Sequence, residues 1–61
     1  MQDFDASTRY YIFANREGRG WKLAHGNLFS YDDAVAARAE IAQQEDVLET
    51  RTTQVTTELV Y

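Results

Sequence analysis

Aromatic and aliphatic residues are concentrated in two short segments near the start of the chain, and these segments predict two β-strands. Residues 9–14 read RYYIFA, a run of aromatic and β-branched side chains that is typical of a strand. Residues 21–25 read WKLAH, in which Trp21 and Leu23 alternate with a lysine and an alanine. This alternation is typical of a strand with one buried face. Because the segments are close in sequence, we expect them to pair as an antiparallel hairpin.

The register of this hairpin can be predicted by matching apolar side chains across the two segments. The pairs that share one face would be Ala14 with Trp21, Ile12 with Leu23, and Tyr10 with His25. A slip of one residue would send every side chain of a strand to the other face. We therefore expect Ile12 and Trp21 on the buried face. Tyr11 and Phe13 would lie on the opposite face.

The segment after the second strand has the apolar spacing of a helix that packs one face against a sheet. Ser30 is a favourable N-cap residue, and Asp33 follows three residues later, as in a capping box. We predict that the helix runs to Gln44 or Glu45. Its packing stripe would consist of Tyr31, Ala34, Val35, Ile41 and Ala42. Arg38 falls within that stripe, where its long side chain could cover the edge of the core and keep its charge in water.

The last part of the chain predicts a third strand. Residues 47–61 read VLETRTTQVTTELVY, which is rich in threonine and valine and contains no glycine or proline. They would form one strand, or two segments with a bend. The residues on one face would be Val55, Thr57, Leu59 and Tyr61. The intervening helix returns the chain, so this strand should run antiparallel to the first.

This order of elements indicates one α+β domain that includes the whole chain. We predict a β-β-α-β arrangement in which a three-stranded antiparallel sheet, ordered 2-1-3, carries the helix on one face. Residues 9–14 take the central position because they are apolar on both faces. The opposite face of the sheet would have no cover within the chain. Residues 1–8 show little pattern and are expected to form a loose terminus.

The composition limits the functions that the chain could perform. Its 61 residues include no cysteine and carry a net charge of −4. Residues 1–30 hold four basic and three acidic side chains, whereas residues 31–61 hold two and seven. This balance disfavours direct binding to nucleic acid, which relies on a basic surface. We expect no membrane span and no secretory signal, and therefore a cytoplasmic protein.

The stretch NREGRGW, residues 15–21, joins the two predicted strands of the hairpin. A phosphate-binding loop would lead into a helix N-terminus, whereas this stretch leads into a strand. Its glycines suit a turn, because glycine adopts positive φ without steric cost. Arg16 and Arg19 would lie on the tip of the hairpin, where they could bind an acidic surface of a partner.

The sequence contains no recognisable catalytic or metal-binding set. His25 is the single histidine, and a nucleophile such as Ser7 or Ser30 would have to be held against it. The first of these serines lies in the loose terminus and the second has a capping role. Asp32 and Asp33 are explained by the positive end of the helix dipole. We therefore expect no enzymatic activity and no cofactor.

Two surfaces are candidates for binding a partner. One is acidic and consists of Glu45, Asp46 and Glu49, close to the predicted helix C-terminus, where carboxylates oppose the helix dipole. If the helix ends early, these residues are solvated loop charges instead. The other surface is the uncovered face of the sheet, on which an exposed patch with Tyr11 and Phe13 would mark an interaction site.

The β-β-α-β order, the segment SYDDAVAARAEIAQQ after a hairpin and the small acidic composition resemble small phage proteins that bind and inhibit host enzymes, bacterial RNA polymerase among them. The resemblance covers residues 9–61 in pattern and includes no diagnostic motif. It implies a non-enzymatic binder whose charged surface occludes or locks its partner.

We therefore predict a small protein-binding module without enzymatic activity, whose partner is a host or cellular protein. Two other classes of function are compatible with the sequence. The acidic half could mimic DNA, or Tyr11 and Phe13 could stack on single-stranded bases. Alternatively, the chain could be a structural subunit that self-assembles, for example as a homodimer through the uncovered sheet faces.

Overall fold

The structure, a computed structural model, describes residues 8–56 of the chain. Its elements in chain order are the strand β1 (Thr8–Arg16), the strand β2 (Gly20–Leu28), the helix α1 (Tyr31–Ala42) and the strand β3 (Val47–Thr56). Thr8, predicted to belong to a loose terminus, is instead the first residue of β1 because it pairs with Thr56. The rest of that terminus and the predicted strand positions Thr57, Leu59 and Tyr61 lie outside the described residues.

The sheet has the strand order β2-β1-β3, and both pairings are antiparallel. This confirms the predicted α+β fold, with β1 at the centre and α1 on one face. Ile12 and Ala14 on β1 point toward α1, and their exposed fractions are 0% and 1%. Tyr11 and Phe13 alternate with them, point to the opposite face and are half-buried. The central strand is therefore apolar on both sides, as the sequence predicts.

The hairpin between β1 and β2 has a different register from the predicted one. Lys22 lies opposite Ala14, where Trp21 was expected. Leu23 lies opposite Phe13. The shift is one residue, which moves Trp21 and Leu23 to the face away from the helix. The prediction that Trp21 lies on the buried face is therefore wrong.

A short turn explains this register. Residues 17–19 form the turn, and the N–H of Arg19 donates to the carbonyl oxygen of Arg16 over 2.9 Å. Gly18 has a φ of 77°, as a type II turn requires at its third residue, and Gly20 has a φ of 78°. Pairing therefore starts at Arg16 and Gly20, closer to the turn than the sequence pattern indicates. The interpretation of NREGRGW as a hairpin turn is confirmed.

Helix α1 begins as predicted and ends earlier. The side chain of Ser30 accepts a hydrogen bond from the N–H of Asp33 over 3.0 Å, which confirms the N-cap. The last helical residue is Ala42, so the prediction that the helix continues to Gln44 or Glu45 is wrong. The last turn contains no basic side chain to offset the negative end of the helix dipole, and further carboxylates would oppose it.

The core between α1 and the sheet is small. Its buried residues are Ile12, Ala14, Ala34 and Ile41, and the half-buried residues around them are Tyr10, Leu28, Ala37 and Val47. The helix packs through Ala34, Ala37 and Ile41, which lie along one line of its surface. The predicted stripe residues that remain exposed are Tyr31, Val35, Arg38 and Ala42. The ring of Tyr31 flanks the core by an edge-on contact with Tyr10, 6.0 Å between ring centres.

Candidate functional site

The face of the sheet opposite α1, hereafter the open face, carries four large apolar side chains from β1 and β2. The side chains that define it are Tyr11 and Phe13 on β1, Trp21 and Leu23 on β2, and Arg51 and Thr53 on β3. Trp21 is 40% exposed and Leu23 is 55% exposed. No described element covers this face. The open face therefore presents a continuous aromatic and aliphatic surface.

A shallow depression lies at the end of the open face nearest the hairpin turn. Phe13, Trp21, Arg51 and Thr53 line it. The guanidinium carbon of Arg51 lies 4.7 Å from the centre of the Trp21 ring, which is a cation–π contact across the central strand. This contact holds the indole and the guanidinium side by side. An aromatic surface and a positive charge are thus available together to a partner.

Tyr11 lies in the middle of the open face and contacts two residues of β2. Its hydroxyl donates to Oδ1 of Asn27 over 3.3 Å, and Asn27 has a φ of 56°. Gly26 lies beneath the ring, because a Cβ at that position would lie 3.2 Å from Cδ1 of Tyr11. The absence of a side chain at Gly26 lets the tyrosine ring lie close to β2. Asparagine tolerates the left-handed backbone conformation better than most residues. In this conformation the side-chain amide of Asn27 is within reach of the Tyr11 hydroxyl.

A second arginine contacts an aromatic ring close to β1. The guanidinium carbon of Arg9 lies 4.3 Å from the centre of the Phe29 ring, and Phe29 is 64% exposed. Arg9 and Arg51 therefore add positive charge to an aromatic surface. Glu49 is an acidic neighbour of Arg51, and its Oε2 lies 4.0 Å from Nε of that arginine. The surface formed by β1 and β3 is locally basic, although the whole chain is acidic.

Comparison with known proteins does not identify this fold. The chain matches no protein-family model, no curated protein and no solved structure.

The two arginines of the hairpin turn occupy different environments. Nη1 of Arg16 donates to Oδ1 of Asp46 over 2.8 Å, and the Arg16 side chain is only 23% exposed. The N–H of Glu17 also donates to the carbonyl oxygen of Asp46, over 2.8 Å. Arg16 therefore connects the hairpin to the segment between α1 and β3. Arg16 was expected on the tip of the hairpin, but it is held by this ion pair. Arg19 is exposed on the tip, as predicted.

The acidic residues predicted as a patch are separated by the structure. Glu45 is exposed in the segment after α1, beyond the end of the helix. Asp46 forms the ion pair with Arg16. Glu49 lies on β3, on the same side of the sheet as the open face, because it pairs with Asn15. The structure therefore favours the alternative in which the helix ends early, and these carboxylates do not form one surface.

Of the residues considered for chemistry, Ser7 lies outside the described residues, and His25 and Ser30 have different hydrogen-bond partners. His25 is exposed on β2, and its Nδ1 lies 3.3 Å from the carbonyl oxygen of Gly26. Ser30 caps α1 through its hydroxyl oxygen. Within residues 8–56, no three acidic or histidine side chains are placed to hold a metal ion. In the same range, no helix has the length and hydropathy that a membrane crossing needs.

Sequence reasoning found Tyr11 and Phe13 on the open face and missed their largest neighbours. Trp21 and Leu23 were assigned to the opposite face by the predicted register. The sequence pattern does not place Arg51 on this face, because its position depends on the pairing of β1 with a distant strand. The spacing of Gly18 and Gly20 is the signal that could have corrected the first error, since two residues with positive φ fix a short turn.

Proposed function

We propose that the chain is a non-enzymatic protein-binding module that binds its partner through the open face. The observation that carries the proposal is the position of Trp21, which is 40% exposed beside Phe13 and Arg51. Tryptophan, tyrosine and arginine are the residues most enriched among those that dominate binding energy at protein interfaces. All three types are present on this one surface.

The chemistry of the open face indicates the kind of protein surface that it would bind. Its centre is aromatic and aliphatic, so it fits an apolar patch that loses contact with water on binding. Arg51 and Arg9 place positive charge beside that centre. A complementary partner would present an apolar patch with carboxylates at its edge. Such charges increase the rate of encounter more than they increase affinity.

A host enzyme inhibited by a small phage protein, such as RNA polymerase, is one partner within this class. That partner is inferred from the sequence pattern and stays a prediction. The structure changes the surface expected to engage it. The open face replaces the acidic residues Glu45 and Asp46 as the proposed contact, because the structure separates these two carboxylates from the apolar surface.

Binding to single-stranded nucleic acid is the second candidate function. The observation that favours it is that Trp21 joins Tyr11 and Phe13 on one sheet face, and aromatic rings on a sheet can stack on bases. Two observations oppose it. Arg51 already lies over the Trp21 ring, and the chain carries a net charge of −4, which repels phosphates.

Capture from a bacterial lysate with matched variants tests the proposal. The wild-type chain should retain a partner that Trp21→Ala loses, because the indole lies at the proposed contact. Tyr31→Ala is the control, since Tyr31 is an exposed aromatic residue on α1, at 63%, on the other side of the sheet. Retention of the same partner by Trp21→Ala, with its circular dichroism spectrum unchanged, would contradict the proposal.

A fluorescence titration separates the two candidate functions. Trp21 is the single tryptophan of the chain, so its emission reports on the open face alone. A protein-binding module should show no change in Trp21 emission on addition of oligothymidylate at low salt. Strong quenching that disappears with added salt would instead identify a single-strand binder, because stacking on bases quenches indole and phosphate contacts weaken with salt.

A further inference from the structure

The strand β3 forms an edge of the sheet that has little of the usual protection against pairing. It has ten residues, Val47–Thr56, and within residues 8–56 it pairs with β1 on one side only. Natural edge strands are commonly protected by proline, charged side chains (lysine above all), bulges or short length, and β3 carries the two charged residues Glu49 and Arg51. β3 contains no proline and no lysine, and its one register irregularity lies at the end near Val47. Its outer backbone groups are therefore suitable for pairing with another strand.

The other edge of the sheet is protected. The pairing of β2 with β1 has register shifts on both sides of His25, the β2 residue opposite Ile12, and such irregularities twist and interrupt a strand edge. β2 also contains Lys22, and Asn27 with a φ of 56°. These features disfavour regular pairing along the outer side of β2. The contrast between the two edges directs an added strand to β3.

We propose that β3 pairs with β3 of a second copy of this chain, antiparallel, around a two-fold axis at Thr50. The pairing would join two three-stranded sheets into one sheet of six strands. It uses the outer backbone edge of β3 and does not depend on the proposed partner binding, although its register involves Arg51, which also belongs to the open face. The two open faces would lie side by side on the same side of the joined sheet.

Charge complementarity selects this register. Glu49 and Arg51 lie on the same side of β3, one residue before and one residue after Thr50. When Thr50 faces its own copy in an antiparallel pair, Glu49 lies opposite Arg51 of the second copy, and this happens twice. An axis at Glu49 would place two glutamates opposite each other, and an axis at Arg51 would place two arginines opposite each other. Opposite charges stabilise such cross-strand pairs and like charges destabilise them.

The proposed dimer should be weak and reversible. One pair of strands buries less surface than the roughly 1,200–2,000 Å² of a stable protein interface. Experiments therefore need concentrations from micromolar to millimolar. At these concentrations, sedimentation equilibrium of the wild-type chain should show monomers and dimers in exchange. A wild-type chain that stays monomeric up to millimolar concentration would overturn the proposal.

A charge exchange between two variants tests the register. Glu49→Arg alone should place like charges opposite each other at both pairs, and so should Arg51→Glu alone. Each variant alone should dimerise about tenfold more weakly than the wild type. An equimolar mixture should recover the wild-type affinity, because a Glu49→Arg chain and an Arg51→Glu chain form two opposite-charge pairs. A mixture that associates no better than the separate variants would overturn the proposal.

Two exposed helix residues provide the matched control. Arg38→Glu and Glu40→Arg change the net charge by the same amounts as the β3 variants, and both side chains lie on α1. Each control variant, and their mixture, should dimerise like the wild type. If the control pair reproduces the loss and recovery, the effect comes from net charge and the β3 interface is wrong.

A cysteine placed on the proposed axis gives a second measurement. The chain has no cysteine, so any disulfide of a single-cysteine variant joins two chains. Thr50→Cys should form a covalent dimer on mild oxidation, because directly opposite residues in an antiparallel pair have Cα atoms about 4.5–5.5 Å apart, within disulfide range. Position 53 lies away from the axis, so the variant Thr53→Cys should cross-link much more slowly. The reverse order would overturn the register.

Discussion

The two faces of the sheet differ in the size of the apolar side chains that they carry. On the covered face, Ile12 is the one large side chain within residues 8–56 that is fully buried, and it is surrounded by alanines from β1 and α1. On the open face lie Trp21, Phe13 and Tyr11, which remain half-buried or exposed. The largest apolar side chains thus contribute least to the core of the isolated chain. The covered face holds the fold together, and the open face has most of its surface available for a partner.

Ile12→Ala should have the largest effect on stability. Truncating a buried isoleucine costs about 2–5 kcal/mol. At roughly 0.05–0.15 kcal/mol per residue, a chain of this length has a total stability of about 3–9 kcal/mol. The variant should therefore be largely unfolded in urea titrations followed by circular dichroism. Val55→Ala, at a side chain that is 44% exposed, is the control and should stay folded.

Ser30→Ala should loosen the helix that covers the buried face. It removes the acceptor for the N–H of Asp33, a hydrogen bond of 3.0 Å. Loss of an N-cap side chain costs about 1 kcal/mol, whereas replacement by glycine costs only a few tenths. The urea midpoint of Ser30→Ala should therefore fall clearly below that of Ser30→Gly. Equal midpoints for the two variants would show that the cap does not stabilise α1.

Asp46→Asn should have a smaller effect, since its ion pair with Arg16 is partly solvated. The side chains are 23% and 44% exposed, and exposed ion pairs contribute roughly 0.2–1 kcal/mol. The loss should shrink in high salt, which screens the wild-type pair. Glu45→Gln removes a neighbouring exposed carboxylate and is the control. If both variants lose stability equally, general charge repulsion and not the Arg16 contact is responsible.

Leu23→Ala should change the stability of the isolated chain least. The side chain is 55% exposed on the open face, and substitutions at exposed positions usually change stability by about 0.5 kcal/mol or less. The same variant should weaken partner capture. A loss of stability comparable to that of Ile12→Ala would remove the distinction between the two faces.

The arrangement of the strands could be predicted because β1 is apolar on both sides. Ile12 and Phe13 are neighbours in sequence and point to opposite faces, which only a central strand accommodates well. The N-cap at Ser30 was also predictable, because it depends on residues three positions apart. Both predictions use local patterns, and the structure confirms both.

The composition of the open face could not be predicted, because it depends on turn geometry and on distant contacts. A turn shorter by two positions on the β1 side and by one on the β2 side moved Trp21 to the other face, although the alternation of Trp21 and Leu23 is equally good in both registers. The partner of Asp46 could not be predicted for a similar reason. Asp46 bonds to Arg16, which is 30 residues away in sequence, and no local signal reports such a pair.

The central position of the first strand has a consequence for how the chain acquires its structure. β1 pairs with β3 along its whole length, and the facing hydroxyls of Thr8 and Thr56, 3.4 Å apart, are separated by 48 positions in sequence. The hairpin can form early, but a two-stranded hairpin is at most marginally stable alone. The third strand closes a long loop, which slows folding because the entropy of that loop is lost before its contacts form. During synthesis, β1 therefore remains without its second neighbour until β3 has been made.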